Sequence, residues 1–205
     1  MTNMHMKPQY HTDIKVTIKE DIFFKGRVIL TWCDATSMSA KLLSAGIRVA
    51  SWLGWDRMSR RLIDLHHSWH MTRRMAFDNI VPTCGRQQIA KAVTGNLAAI
   101  ADIEVNESAL GTGTGAPANG DTTLGTETYR KAIASQSYSS NVAYNTAFYA
   151  AGDTNGTFYE HGIFIKGTGV ADSGVLLSRV LLNSPSGIAK SAAETLTVEH
   201  QHTIS

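Results

Sequence analysis

The sequence of 205 residues predicts a mainly β fold: an antiparallel β-sandwich, jelly-roll-like or Ig-like, with an inserted helical hairpin and one short helix. Three observations carry this expectation. Short runs rich in β-branched and aromatic residues recur through the last two thirds of the chain, separated by clusters of Gly, Asn, Asp, Ser and Pro. The strand–helix alternation of a parallel α/β sheet is missing. The apolar period also changes between Ser37 and Trp69, from the two of a strand to the 3.6 of a helix.

Residues 1–24 are polar, with a weak alternation at Ile14, Val16 and Ile18, and read as an N-terminal arm or an edge strand that could extend a neighbouring sheet. The sandwich is expected over 25–205, opening with a strand from Lys25 to Cys33. Helical periodicity then sets in over about 37–69. Leu43, Ile47 and Ala50 make a short stripe, weakened by Gly46 and Gly54. Trp55, Met58, Leu62, Leu65 and Trp69 make a longer one on a second helix, for which Asp56 is the candidate N-cap. A strand returns from about His70 to Pro82, so the two helices sit where the tip of a β-hairpin would otherwise be. Thr83 to Thr94 reads as the short helix, closed by Gly95.

Beyond it, strands are expected within Ala99–Leu110 and over Arg130–Tyr138, Val142–Ala150, Phe158–Ile165, Val175–Leu182 and Leu196–Ile204. Between the first two lies ALGTGTGAPANGDTTLGTETYRKAIA, Ala109 to Ala134. Its glycines permit positive φ or close approach, and Pro117 fixes a bend. It reads as a long ordered loop. A phosphate-binding loop would need Lys-Ser/Thr after the glycines and a helix to follow, and neither is present.

Composition narrows the function. Hydrophobic residues at 43% supply a core, and 18% charged residues is low for a soluble enzyme. Charge is unevenly placed. Ser37 to Met75 holds seven basic residues against Asp56 and Asp64, a net of +5. Asp102 to Asp172 holds Arg130, Lys131 and Lys166 against eight acids, a net of −5. Such a division suits copies or partners meeting basic face to acidic face, or two ordinary solvated surfaces. Seven basic residues in some forty positions, beside an acidic remainder, argue against a nucleic-acid binder. Cys33 and Cys84 make neither a disulfide framework nor a zinc spacing. No apolar run approaches a membrane span, and MTNMHMKPQYHTD lacks the apolar core of a signal peptide. Assembly in a reducing cytosol is the expectation.

Five segments in order, ALGTGTGAP, DTTLGTETYRKAI, NTAFYAAGDTNGTFYEHGIF, LLSRVLL and AETLTVEHQHTIS, resemble a family of tailed-bacteriophage virion proteins. The resemblance covers about Gly85 to Ser205 and leaves out the helical excursion. It implies a virion structural protein associated with tail, tail tip or fibre.

No catalytic constellation is visible. Glu160-His161 and Glu199-His200 are strand neighbours, which point to opposite faces. His200 and His202 share a face and are the candidate metal ligands, since such a pair repeated about a three-fold axis can hold a transition metal. The alternative is that both rings pack against Thr and Tyr of the opposing sheet. His66, His67 and His70 read as helix-end residues beside the C-terminal dipole.

The expectation is therefore a non-enzymatic virion component without a cofactor, joined to other virion proteins as a homo-oligomer, a trimer or higher. Trp52, Trp55, Leu62, Leu65 and Trp69 are its candidate interface anchors, with Arg57, Arg60 and Arg61 setting register. Core packing is the competing account of that stripe. A head decoration protein is one alternative. A module binding host-surface glycans through Tyr144, Tyr149, Tyr159 and the tryptophans is another.

Overall fold

The computed structural model describes residues 24–204. The expected arm lies outside the described residues except for Phe24, which already belongs to the first strand. That strand, β1 (Phe24–Asp34), pairs antiparallel with β2 (Met71–Asn79), from Gly26 against Asn79 to Cys33 against Met71. The hairpin α1 (Met38–Trp52) and α2 (Asp56–His70) is inserted at the tip of that pair, as the sequence predicts. Ser37 caps α1, its Oγ accepting from Ala40 N at 3.2 Å. Gly54 and Gly95, at φ +68° and +70°, follow the ends of α1 and of α3 (Thr83–Val93) in the left-handed region. Asp56 is not the cap of α2: Trp55 holds that position without a side-chain bond, and Asp56 lies in the first turn.

After a 3-10 turn at Ile100–Asp102 the remaining strands are β3 (Val105–Gly111), β4 (Glu127–Ala132), β5 (Ser135–Ser139), β6 (Val142–Tyr149), β7 (Gly156–Phe158), β8 (Glu160–Ile165), β9 (Val175–Leu181), β10 (Ile188–Lys190) and β11 (Glu194–Ile204). They form a five-stranded sheet, β2-β1-β11-β6-β5, a four-stranded sheet, β4-β3-β8-β9, and the small pair β10-β7. All the pairings are antiparallel. The two larger sheets face each other across Val28, Leu30, Trp32, Leu110, Tyr149, Val180, Leu196 and Val198. They meet at one edge through a bridge between Ile80 and Arg179.

Two expected strands are each divided. The run Arg130–Tyr138 breaks between Ile133, whose N–H donates to Asn106 O in one sheet, and Ala134, whose N–H donates to Thr146 O in the other. The chain changes sheets within one peptide, with no Gly or Pro to announce it. Phe158–Ile165 breaks at Tyr159, whose N–H crosses to Gly111 O. The pair β10-β7 exists because this break frees Gly156–Phe158 to meet Ile188–Lys190.

The hairpin covers the outer face of the larger sheet; α1 buries Ile47 and Ala50 of its expected stripe, with Leu43 half-buried, but the buried face of α2 is not the stripe expected from periodicity. α2 buries Ser59, Ile63 and His66. The reason lies in the sheet, whose outer face carries Thr31, Thr146, Thr195 and Thr197. Those hydroxyls accept polar neighbours: His66 Nε2 lies 3.3 Å from Thr195 Oγ1 and His67 Nε2 2.9 Å from Thr197 Oγ1. Arg60 reaches Glu199 at 2.8 Å. Only Ile47, Ile63 and Leu62 add an apolar seam, against Ala134, Phe148 and Ala150.

Candidate functional site

The outward face of the hairpin is the first candidate site. Trp52, Trp55 and Trp69 are 84%, 56% and 64% exposed, and Leu62 and Leu65 are half-buried. Leu42, Val49 and Met58 extend the exposed apolar surface. Burying such side chains would each be worth about 1.5–3 kcal/mol, so leaving them in water is a cost that core packing does not explain. Arg57 and Arg61 are exposed beside them, whereas Arg60 is held by Glu199 and stacks over Tyr144. The structure therefore brings the eight expected interface residues onto one hairpin but turns Arg60 toward the sheet.

The acidic half of the chain does not present a matching face. Asp102, Asp121, Glu127, Asp153 and Glu160, five of its eight acids, are in ion pairs with Lys166, Arg179, Arg130, Lys131 and again Arg179. Most of the acids that looked like a surface in the sequence are taken up in ion pairs within the chain.

The glycine loop between β3 and β4 is organised around one of those acids. Glu160 is fully buried. Its carboxylate accepts the N–H groups of Gly113 and Gly125 at 2.9 Å and of Thr126 at 2.7 Å. Arg179 completes the set: Nη2 lies 2.7 Å from Glu160 Oε2 and also donates to Gly115 O at 3.1 Å, and Nη1 donates to Asp121 Oδ2 at 2.6 Å. A Cβ on Gly111 would stand 2.6 Å from Thr126 O and 2.7 Å from Glu160, which is why glycine is required there. This loop does form an anion nest, and the anion is the protein's own carboxylate.

The face of β11 that carries His200 and His202 points into the sandwich. His161 Nδ1 lies 2.8 Å from His200 Nε2, and His161 Nε2 lies 2.8 Å from Ser108 Oγ, itself 2.5 Å from Tyr149 Oη. On the other side His200 Nδ1 is 3.2 Å from Ser178 Oγ, Ser178 bonds Asn79, and Asn79 Nδ2 is 3.3 Å from His202 Nε2. One direction of donation, Asn79 to Ser178 to His200 to His161 to Ser108, satisfies every ring nitrogen of His200 and His161 with neutral imidazoles. Burial lowers His161 to about 3 and His202 to about 4; burial, then its two histidine neighbours, lowers His200 well below the ordinary range.

With both nitrogens of His200 engaged, and no group of three His, Cys, Asp or Glu side chains arranged to hold a metal among the described residues, the chain's geometry is that of a buried hydrogen-bonded network. Glu160 and His161 point apart, one to the glycine loop and one to this network. His66 and His67 are not charged groups beside a helix terminus: burial lowers both, His67 to about 4.

Sequence reasoning missed Glu160 and Arg179 as partners, since they meet across the β8–β9 register rather than along the chain. It also missed His161 as the link between β8 and β11. The tyrosines of the glycan alternative do not converge, because Tyr149 is fully buried and Tyr144 lies under Arg60. No helix among the described residues is long and apolar enough to cross a membrane. Comparison of the chain with protein families, with curated proteins and with solved structures returns no match.

Proposed function

We propose that this protein is a non-enzymatic assembly component of a bacteriophage virion, tail- or fibre-associated, whose helical hairpin docks it onto another virion protein. The observation that carries the reading is the exposed apolar surface of α1 and α2, with three tryptophans in solvent while α2 buries Ser59, Ile63 and His66. The sandwich supplies a stiff support: its loop is clamped by Glu160 and Arg179, and His161 and His200 are bonded to each other and to Ser108 and Ser178 inside it. The virion setting comes from the order of motifs between Gly85 and Ser205 and their resemblance to tailed-phage proteins.

The test is incorporation. A chain with Trp55→Ala and Trp69→Ala should fold, because both side chains are largely outside the packed interior, and should fail to join particles. Incorporation of that variant at wild-type stoichiometry would remove the hairpin as the dock. Copy number per particle separates the two virion locations: few copies for a tail or fibre protein, hundreds for a head decoration protein.

A further inference from the structure

On α1 the exposed apolar residues keep a spacing that packing against the rest of the protein does not impose. Met38, Leu42, Ala45, Val49 and Trp52 follow one another at intervals of four, three, four and three, and all five are exposed. This is the a/d repeat of a coiled-coil seam, here over a helix of 15 residues, about 22 Å long. With Leu42 and Val49 at a, Lys41 and Arg48 occupy both g positions. Neither is in an ion pair among the described residues.

The C-terminal half of the seam is also one wall of an open cleft of about 700 Å³. Lys131 to Ala134, at the corner where the chain changes sheets, makes the other wall, and Ile47 and Phe148 complete the lining.

We propose that this groove receives an amphipathic α-helix of another protein whose apolar seam is flanked by acidic side chains. The inference rests on the hairpin being the docking element and names the chemistry of what docks. A helix is selected over a strand because only a repeat near 3.5 keeps side chains meeting Met38 through Trp52 in step. An acidic helix is selected by Lys41 and Arg48. In an antiparallel pairing with a second copy these g residues would face each other, basic against basic. In a parallel pairing they would face Ser39, Gly46 and Leu53, which offer no acid. The sandwich acids that could have drawn a second copy are mostly paired already.

The experiment uses the full chain and two fluorescein-labelled synthetic helices of 21 residues, one with Leu at a and d and Glu at e and g, the other with Lys replacing Glu. Fluorescence anisotropy should show the Glu helix binding at least tenfold tighter, with the difference shrinking as salt is raised. Lys41→Glu with Arg48→Glu should exchange the preference. Leu42→Ser with Val49→Ser should abolish binding of both while leaving the thermal midpoint within a few degrees. Equal binding of the two helices, no binding, an unexchanged preference, or sedimentation showing that the chain closes this face on a second copy would each overturn the proposal. A Leu42→Ser, Val49→Ser chain that still enters particles, when the Trp55→Ala, Trp69→Ala chain does not, overturns the groove helix and leaves the hairpin dock standing.

Discussion

Glu160 and Arg179, one on β8 and the other on β9, form an ion pair at 2.7 Å with both side chains buried, and the same carboxylate accepts three backbone N–H groups of a loop that begins some fifty residues upstream. The pair ties the longest irregular segment among the described residues to β8 and to the edge strand β9. Without Glu160, Arg179 keeps only Asp121 and the Gly115 carbonyl, and three loop N–H groups lose their charged acceptor.

Glu160→Gln is accordingly expected to destabilise the protein by about 1–3 kcal/mol, since Arg179 stays paired with Asp121. Because the amide keeps a single acceptor oxygen, it should also release part of the set formed by the Gly113, Gly125 and Thr126 amides. Denaturant midpoints measure the first effect and hydrogen exchange at those three amides the second. Unchanged protection at all three would show that the carboxylate is not what orders the loop.

Gly111→Ala should be more damaging than an alanine at Gly115. The first places a methyl 2.6 Å from the Thr126 carbonyl, whereas the second meets nothing within 4 Å. The expected cost is about 1–3 kcal/mol at Gly111, against less than about 1 kcal/mol at Gly115. Thermal midpoints of the two variants, measured side by side, check the order.

The buried histidines predict a specific acid sensitivity. In the folded protein His161 is lowered to about 3 and His67 and His202 to about 4, with His200 also well below its ordinary value. In the unfolded chain each takes up a proton near pH 6.5. The folded state thus binds fewer protons below that pH, so stability is complete above about 6.5 and falls as the pH drops toward 4. Each such histidine contributes at most about 1.4 kcal/mol per pH unit. Unfolding free energy measured from pH 7.5 to 4.5 should show this slope, and His202→Leu should reduce it. A flat profile over that window would mean the rings are not held neutral.

On the hairpin, two substitutions at comparable apolar positions should behave oppositely. Trp52→Ser, at 84% exposure, should change stability by no more than about 0.5 kcal/mol. Ile63→Ala, at 2% exposure, should cost about 2–5 kcal/mol. If Trp52→Ser proves as costly as Ile63→Ala, the exposed face is part of the core after all and the docking reading loses its basis.

The strands β1, β6, β9 and β11, the inserted hairpin and α3 with Gly95 behind it could all be read from the chain alone. Each is written in local periodicity or in a residue that tolerates one backbone conformation, and both are properties of neighbours along the chain. Tertiary structure decided what depends on the surface opposite. α2 buries Ser59, Ile63 and His66 rather than its apolar stripe because the sheet beneath it presents threonine hydroxyls. The chain changes sheets between Ile133 and Ala134 because their two amides find acceptors in different sheets. Glu160 and His161, adjacent in sequence, take up a loop clamp and an interior network because a strand sends neighbouring side chains to opposite faces. A pattern along the chain states which residues share a side; it takes the rest of the fold to say what that side meets.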